Sequence, residues 1–262
     1  MKIITSAVNN PVFIEIQFHT LQKYMKSEYE FIVFNDAKTF PDFSNFNDIT
    51  LREKITDICK KYNIKCIEIP SNDNQKKIKN ASYRTAVAMN FILEYQKKNP
   101  DKYLLLDSDM FLIDDFSIDE FESYDGAVVL QNRHHYHYIW NGLYYFNTPK
   151  LDMNKMNWHC SYNTDTGGMM NKWLMNYQLS NLQKGGIYFI NHLSSLNWNK
   201  SNNKLKNDKL FEFLKTDSRN KNGFFYCEIY YNKFFHFRGG GNWKRETSVY
   251  DTILRLKDIL TE

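Results

Sequence analysis

Short apolar runs alternate with amphipathic stretches over the first 110 residues of the chain. The apolar runs have the length of strands and fall at residues 2–8, 29–34, 64–69 and 103–106. Helical spacing of apolar positions lies between them, at residues 11–25, 49–62 and 80–98. This β-α-β-α-β-α-β order predicts a right-handed α/β layer sandwich with a mostly parallel sheet, which binds a ligand at the carboxyl edge of its strands.

The pattern after residue 115 is less regular. Strands are predicted at residues 126–131, 142–146 and 187–190 and within 224–237, and helices after the glycines of segment 165–177 and at 249–260. The polar stretches 71–79 and 197–223 are predicted to be exposed loops, because they are rich in Asn and Lys. No internal repeat and no clear linker is present, so we expect a single domain over residues 1–262.

Composition narrows the class of protein. A hydrophobic fraction of 42% and an aromatic fraction of 16% indicate a folded globular chain. The net charge of +4 is spread along the sequence, which argues against nucleic acid as a partner. The four cysteines lack C-x-x-C spacing, no apolar run approaches the roughly 18 residues of a transmembrane helix, and the start resembles a strand more than a signal peptide. We therefore expect a soluble protein with free thiols in the reducing cytoplasm.

Two carboxylates, Asp107 and Asp109, follow the apolar run at residues 103–106. Carboxylates at the end of a core strand are costly to desolvate unless they are paired or bind a cation. Side chains at i and i+2 of an extended strand point the same way, so both can reach one hard cation such as Mg²⁺, Mn²⁺ or Ca²⁺. The alternative is a turn in which the two acids simply cap the strand.

A second candidate segment runs from His236 to Lys244 and contains three consecutive glycines between two cations, Arg238 and Lys244. The glycines expose backbone N–H groups and allow a close approach, which suits a diphosphate. His236 is positioned to add a nitrogen ligand to a carboxylate-bound Mn²⁺. The alternative is a glycine-rich hairpin with an incidental histidine.

Together, these two segments resemble the motifs of GT-A-type nucleotide-sugar glycosyltransferases, in particular the glycogenin-like branch (family 8). The D-x-D motif at the end of an apolar strand is matched by Asp107, Ser108 and Asp109, and the late H-x-x-G-x-x-K-P-W loop in part by His236 and Gly239. Asn242 stands where the family has lysine, and Trp243-Lys244 replaces Pro-Trp, so Lys244 or Arg238 would supply the positive charge. The resemblance implies a single GT-A-like, Rossmann-like domain with helices on both faces of the sheet.

The resemblance also implies a division of the chain and roles for further residues. Residues 1–115 would form the nucleotide-binding half, 116–246 the half for the donor sugar and acceptor, and 247–262 a C-terminal helix. Metal ligands would be Asp107, Asp109 and His236. Nucleotide and donor contacts would come from Thr5, Ala7, Asn9, Asp36, Arg84, Asp107, Ser108, Asp109, Asn141, Gly142, Arg238, Gly239, Gly240, Gly241 and Lys244.

Three of these interpretations keep an alternative open. Arg84 shares an apolar helix face, so it needs a phosphate or Asp107 as partner, unless it snorkels to solvent. Asp165 opens a segment with two glycines and is our candidate catalytic carboxylate beside the donor sugar, or else a helix N-cap. His134, His135 and His137 suggest zinc, but without a nearby Cys or fourth ligand we favour a polar edge near the acceptor.

The implied activity is the metal-dependent transfer of a sugar, with Mn²⁺ or Mg²⁺ as cofactor. The donor would be a nucleotide diphosphate sugar, here a UDP-sugar, and the acceptor a hydroxyl of a glycan, a glycoprotein or another molecule. The alternatives are a phosphohydrolase of the haloacid dehalogenase type, a non-catalytic nucleotide- or glycan-binding protein of the same fold, and a nucleotidyltransferase. Met110 after the second Asp and the mid-chain position of the motif argue against the phosphohydrolase, and the lack of a Gly-rich segment after the first strand argues against the nucleotidyltransferase.

Overall fold

The computed structural model describes residues 1–133, 136–180, 186–191, 205–242 and 247–262. Four residues that the sequence singled out, His134, His135, Trp243 and Lys244, lie outside these ranges. Within the ranges, no helix is both long and apolar enough to cross a membrane.

Ten strands lie in the described ranges: Lys2–Ala7 (β1), Glu30–Asn35 (β2), Lys65–Glu68 (β3), Lys102–Leu106 (β4), Met110–Leu112 (β5), Gly126–Arg133 (β6), Tyr136–Asn147 (β7), Ile187–Phe189 (β8), Glu228–Tyr230 (β9) and Phe234–His236 (β10). Seven of them form the main sheet, in the order β3-β2-β1-β4-β7-β6-β8. The first four are parallel, β7 is antiparallel to β4 and β6, and β8 is parallel to β6. The predicted mostly parallel α/β sheet is confirmed.

The α-helices of the described ranges are Pro11–Tyr24 (α1), Leu51–Lys61 (α2), Asp73–Lys76 (α3), Ala81–Lys98 (α4), Met170–Ser180 (α5), Asp208–Lys215 (α6) and Thr247–Thr261 (α7). Local signals start the two longest helices of the first half. The side chain of Asn10 accepts the amide of Val12 at the start of α1, and Asn80 does the same for Ser82 and Tyr83 at the start of α4.

Helices cover both faces of the main sheet, as predicted. Successive residues of β4 point to opposite faces: Leu104 and Leu106 pack with the apolar residues of α1 and α2, whereas Tyr103 and Leu105 pack with those of α4 and α5. All four side chains are at most 2% exposed. The run that precedes the two carboxylates is therefore buried on both faces.

A smaller antiparallel sheet, β5-β10-β9, extends the domain beyond the end of β4. One face packs against a third apolar cluster formed with α1, α6 and α7. The aromatic segment 224–237, predicted as strand-like, is a hairpin of β9 and β10 whose turn residues Tyr231 and Asn232 have φ of 53° and 56°. This sheet joins the residues after Asp109 to those before the glycines.

Several predicted boundaries were wrong. The stretch 71–79 contains the short helix α3, and the described part of 197–223 contains α6, which buries Leu210, Phe213 and Leu214. The i, i+3, i+4 spacing of these three residues was obscured by the surrounding Asn and Lys. By contrast, the helix predicted after the glycines of segment 165–177 is confirmed, because it begins at Met170.

Candidate cation site and groove

Asp107 and Asp109 lie on a tight turn between β4 and β5. The amide of Asp107 still donates to the carbonyl of Gly142 on β7 at 2.7 Å, and the amide of Met110 then donates to the carbonyl of Asp107 at 3.0 Å. The amide of Ser108 donates to Oδ1 of Asp107 at 2.8 Å. The turn, and not the alternation of an extended strand, thus sets the direction of the two carboxylates.

His236 reaches the same place from the far end of the chain, because β10 pairs with β5 and sets His236 opposite Met110. Nε2 of His236 lies 3.3 Å from Oδ1 of Asp109. One ligand atom from each of Asp107, Asp109 and His236 falls within 4.8 Å of the others. In the part of the chain that the structure describes, no other group of three His, Cys, Asp or Glu side chains comes together in this way.

The charges of this cluster are unbalanced. Burial and the neighbouring charge of Asp109 raise the pKa of Asp107 to about 7. Burial acts to lower the pKa of His236, but Asp109, Glu228 and Asp107 outweigh it and raise this pKa to about 10. Crowded carboxylates are stabilised by a cation between them, and two carboxylates with one imidazole suit Mn²⁺. The residues present therefore fit the divalent ion that the sequence predicted.

Glu228, on β9, is part of this site and was missed by the sequence analysis. Its Oε2 lies 2.9 Å from Nδ1 of His236 and accepts a hydrogen bond of 2.7 Å from the hydroxyl of Tyr230. Burial acts to raise the pKa of Glu228, but the hydrogen bond and charge of His236 bring it below its usual range. A carboxylate at Nδ1 fixes the proton there and directs Nε2 to a metal. Only the pairing of Glu228 with His236 across the hairpin reveals this role.

The glycine loop contacts the cation site directly. The amide of Gly240 donates to Oδ2 of Asp109 at 3.1 Å. A Cβ on Gly240 would lie 2.6 Å from the ring of Phe13 and 2.9 Å from Cβ of Asp109, so this approach requires glycine. Gly239 has a φ of +75°, which also favours glycine. The predicted contact between this loop and a diphosphate stays a prediction.

A groove lies along the carboxyl ends of the strands, and Asp107, Ser108 and Asp109 line both of its cavities. The Phe43 cavity, of about 340 Å³, extends toward β2 and is also lined by Val8, Asn9, Asp36, Lys38, Phe43, Ser44, Phe46, Ala81, Arg84, Thr85 and Gly241. The Trp140 cavity, of about 450 Å³, extends toward β7, where Trp140, Asn141, Asp165, Thr166, His236 and Gly239 line it. The cation site thus lies where the two cavities meet.

Two buried ion pairs lie at the Phe43 cavity, which is lined by Asp36, Lys38 and Arg84. Asp36 accepts from Lys38 at 2.5 Å, and Asp42 accepts from Nη2 of Arg84 at 2.9 Å. The Arg84 side chain is 4% exposed, so it neither snorkels to solvent nor pairs with Asp107, and both of those interpretations were wrong. Its Nη1 is buried and has no hydrogen-bond partner among the described residues.

The contacts assigned to β1 were shifted by one residue. Thr5 and Ala7 are buried in the core and line neither cavity, whereas Ser6 and Val8 line the groove. Alternate residues of β1 point to opposite faces, and Ala7 belongs to the face covered by α1 and α2. Asn9 does line the Phe43 cavity, and its side-chain amide donates to the carbonyl of Gly241 at 3.0 Å.

Asn141 and Asp165 line the Trp140 cavity together with the cation site, and their roles toward a donor sugar stay predictions. Gly142 lies behind this cavity: a Cβ there would meet the Trp140 ring at 2.2 Å. Asp165 precedes α5 by several residues, so the N-cap alternative was wrong. Its Oδ1 accepts the amide of Thr166 at 2.9 Å, and its Oδ2 lies 3.3 Å from Nη2 of Arg133.

Two further predicted residues, Arg238 and His137, are not among the residues that line the two cavities. Arg238 is 56% exposed, lines neither cavity and has its Nη1 3.8 Å from Oε1 of Glu228. Nδ1 of His137 lies 2.5 Å from Oδ1 of Asn132, and His137 belongs to no metal cluster of the described residues. Lys244, the other predicted phosphate ligand, lies outside the described residues.

No protein-family model matches the chain, and no curated protein matches it. Among solved structures, the chain is similar to the galactosyltransferase LgtC in complex with donor and acceptor sugar analogues, with 15% identity over 72% of this chain and 73% of that chain and a TM-score of 0.39. An active-site mutant of LgtC gives 16% identity, 72% coverage of both chains and a TM-score of 0.40. Likeness of this extent concerns the fold alone, so we argue the function from this chain's own residues.

Proposed function

We propose that the protein is a metal-dependent glycosyltransferase. It would move a sugar from a nucleotide diphosphate sugar, here a UDP-sugar, to a hydroxyl of a glycan, protein or other acceptor. The observation that carries this proposal is the convergence of Asp107, Asp109 and His236 where the two cavities of the groove meet. This arrangement leaves room for a nucleoside on one side of a cation and a sugar on the other.

The chemical problem is a leaving diphosphate that gains negative charge. Mn²⁺ or Mg²⁺ held by Asp107, Asp109 and His236 would supply a Lewis acid for that charge. Gly239 and Gly241 line the cavities on either side of Asp109 and can offer backbone donors to diphosphate oxygens. The amide of Gly240 is already bonded to Asp109 and so orients a ligand of the cation.

The Phe43 cavity suits the nucleoside. Phe43 and Phe46 offer aromatic surface to a base, and the buried pair of Asp36 and Lys38 offers an acceptor and a donor side by side. Arg84 lines this cavity, and its Nη1, which has no hydrogen-bond partner among the described residues, would be a further donor for a hydroxyl or phosphate. We therefore still propose that Asn9, Asp36 and Arg84 contact the nucleotide.

The Trp140 cavity suits the donor sugar, with Trp140 as aromatic surface and Asn141 as a hydrogen-bonding group. Asp165 would act on transfer more than on nucleotide binding. In an inverting enzyme it would accept the proton of the acceptor hydroxyl. In a retaining enzyme, which the glycogenin-like resemblance favours, it would orient the sugar or stabilise positive charge at the anomeric carbon.

The substitution Asp165→Asn tests that role. General acid–base groups typically contribute about 10²–10⁴-fold, so we expect kcat to fall within that range while nucleotide affinity and melting temperature stay nearly unchanged. The matched control is Asp152→Asn, a half-exposed carboxylate paired with Lys155 outside the groove, which should leave kcat as it is. Near wild-type kcat in Asp165→Asn would remove Asp165 from the chemistry.

The proposal as a whole is tested by a screen of nucleotide sugars, with and without Mn²⁺, for donor hydrolysis and thermal shift. We expect one class of donor to raise the melting temperature and to be hydrolysed only with the metal. A phosphohydrolase would instead release phosphate from simple phosphate esters, a nucleotidyltransferase would form or cleave the sugar nucleotide at its diphosphate, and a binding protein would give a thermal shift without turnover. Any of these three results would overturn the proposal.

A further inference from the structure

Gln17 is a fully buried polar side chain on the apolar face of α1. Its neighbours along the buried face of the helix are Phe13, Ile14 and Leu21. Its Oε1 has no hydrogen-bond partner among the described residues. A buried polar group in this position needs an explanation, because an apolar side chain of the same size would fit the core without an unpaired oxygen.

The partners of Gln17 supply that explanation. Its Nε2 donates to the carbonyl of Asp107 at 2.8 Å and to the carbonyl of Met110 at 3.1 Å. Because both partners are carbonyl oxygens, only the NH₂ group of the amide can stand between them. One side chain therefore spans the turn that carries both predicted carboxylate ligands.

The turn is also held near its two ends, where the amide of Asp107 donates to the carbonyl of Gly142 at 2.7 Å and the carbonyl of Asp109 accepts from the amide of Phe237 at 2.8 Å. Its closing bond runs from the amide of Met110 to the carbonyl of Asp107, the same oxygen that Gln17 contacts. A change of backbone angle here would turn the carboxylates of Asp107 and Asp109 away from His236. The spacing of ligand atoms within 4.8 Å depends on this conformation.

We propose that Gln17 is a positioning residue, whose side-chain amide holds the Asp107–Met110 turn in the conformation that directs both carboxylates to one divalent cation. The inference rests on the cation site of the proposed function. It assigns no chemical step to Gln17, which touches only backbone oxygens. The residue acts from α1, the helix that also brings Phe13 against Gly240, so one helix supports both sides of the site.

The test compares Gln17→Met with Gln96→Met. Both glutamines are fully buried, but Gln96 lies on α4, bonds the hydroxyl of Tyr144 and lines neither cavity. We expect Gln17→Met to weaken Mn²⁺ binding about tenfold by calorimetry, the size of effect seen for groups that orient metal ligands. Gln96→Met should stay within about twofold of wild type. A similar change in melting temperature for both variants would show that general core loosening is not the cause.

A second measurement does not depend on the metal. In the metal-free protein, hydrogen exchange at the amide of Met110 should speed up at least about tenfold in Gln17→Met and remain unchanged in Gln96→Met. Gln17→Glu, which keeps the volume but removes the amide donor, should give the same result if Gln17→Met folds poorly. Mn²⁺ affinity and Met110 exchange both within twofold of wild type would overturn the role of Gln17. A wild-type protein that binds no Mn²⁺ would overturn the cation site itself, while the exchange result would still decide what Gln17 does to the turn.

Discussion

The two parts of the groove hold buried carboxylates in opposite ways. Beside the Phe43 cavity, Asp36 pairs with Lys38 and Asp42 pairs with Arg84, and all four side chains are at most 4% exposed. At the cation site, Asp107 and Asp109 share a single histidine, whose other ring nitrogen contacts Glu228. The first arrangement is electrostatically complete and the second is not.

Burial raises the pKa of Asp36 as well as that of Asp107, but the charges of Lys38, Arg84 and Arg52 oppose the shift at Asp36, whereas the charge of Asp109 adds to it at Asp107. A carboxyl group with a pKa raised to about 7 by burial and by Asp109 lacks a compensating charge of its own. Binding a divalent cation would remove that imbalance, whereas the paired wall of the Phe43 cavity gains nothing from a cation. A balanced, partly aromatic wall is suited to an uncharged nucleoside. We infer that the nucleoside of the proposed donor would lie against the paired charges at the Phe43 cavity, and that its diphosphate would lie at the cation site.

The largest expected effect is on the free energy of unfolding and comes from removing one partner of a buried ion pair. Asp42→Asn leaves Arg84 as an unpaired buried charge, so the free energy of unfolding should fall by about 3–5 kcal/mol in urea denaturation. Adding Arg84→Met to Asp42→Asn should restore most of the loss, because neither charge then remains. Glu94→Gln, which breaks an exposed pair with Lys97, is the control and should change stability by less than about 1 kcal/mol. A loss under 1 kcal/mol for Asp42→Asn would contradict the comparison.

The same kind of change at the cation site should act on activity and spare stability. Asp109→Asn relieves the crowding of carboxylates and keeps an oxygen for the amide of Gly240, so the metal-free protein should stay within about 1 kcal/mol of wild type. Mn²⁺ binding should be lost and sugar transfer should fall about 10²–10³-fold. Asp114→Asn, at a carboxylate paired with Lys206 outside the groove, should keep both. Transfer that continues undiminished in excess chelator would end the metal hypothesis.

A smaller effect, on the affinity for Mn²⁺, is expected from a substitution of Glu228. Glu228→Gln keeps an acceptor for Nδ1 of His236 but removes the charge that orients and strengthens this ligand, so Mn²⁺ affinity should drop about tenfold. Tyr230→Phe removes only the hydroxyl that bonds Glu228 and keeps the ring stacked on Trp140, so its loss should be clearly smaller. Equal losses in the two variants would show that aromatic packing, and not the carboxylate, holds His236.

The smallest expected effect is on stability at acidic pH. It concerns Glu15, a carboxylate outside the groove that is paired with lysine side chains. Burial acts to raise the pKa of Glu15, but hydrogen bonds from Lys257 and Tyr62 and the charges of Lys257 and Lys61 lower it to about 2 from 4.5. Because the folded-state pKa is depressed, this group stabilises the protein above pH 4.5 and loses that contribution as the pH falls toward 2. We expect about 1 kcal/mol after solvent screening. Glu15→Gln should flatten the pH dependence of unfolding over this range, and an unchanged curve would contradict the assignment.

Local patterns in the sequence predicted the elements that carry the site. The apolar run before Asp107 identified a strand buried on both faces, since an uninterrupted run of apolar residues is a property of that segment alone. The order of strands and helices in the first half followed from the same kind of signal. The candidate ligands Asp107, Asp109 and His236 were identified because carboxylates after a core strand and a histidine before glycines are unusual locally.

Errors arose where the outcome depended on a neighbour. Thr5 and Ala7 were wrongly assigned to the groove. The packing of the helices on the two sides of the sheet decides which way the odd residues of a central strand point, and the sequence of the strand does not show this. Arg84 was matched to Asp107, although Asp42 is the carboxylate that lies within reach. A buried arginine predicts that a partner exists, but sequence spacing does not say which one.

The sequence by itself determined the strands, the helices and the residue types able to hold a cation. Only the tertiary structure decided that they meet, because the pairing of β5 with β10 brings Gly240 to Asp109 across 131 residues. It also decided the roles of Glu228 and Gln17, whose hydrogen bonds reach His236 and the Asp107–Met110 turn. The physical reason is that hydrophobic burial is non-directional and selects which segments enter the core, whereas hydrogen bonds are directional and depend on which groups the packed core places within 3 Å or so of one another.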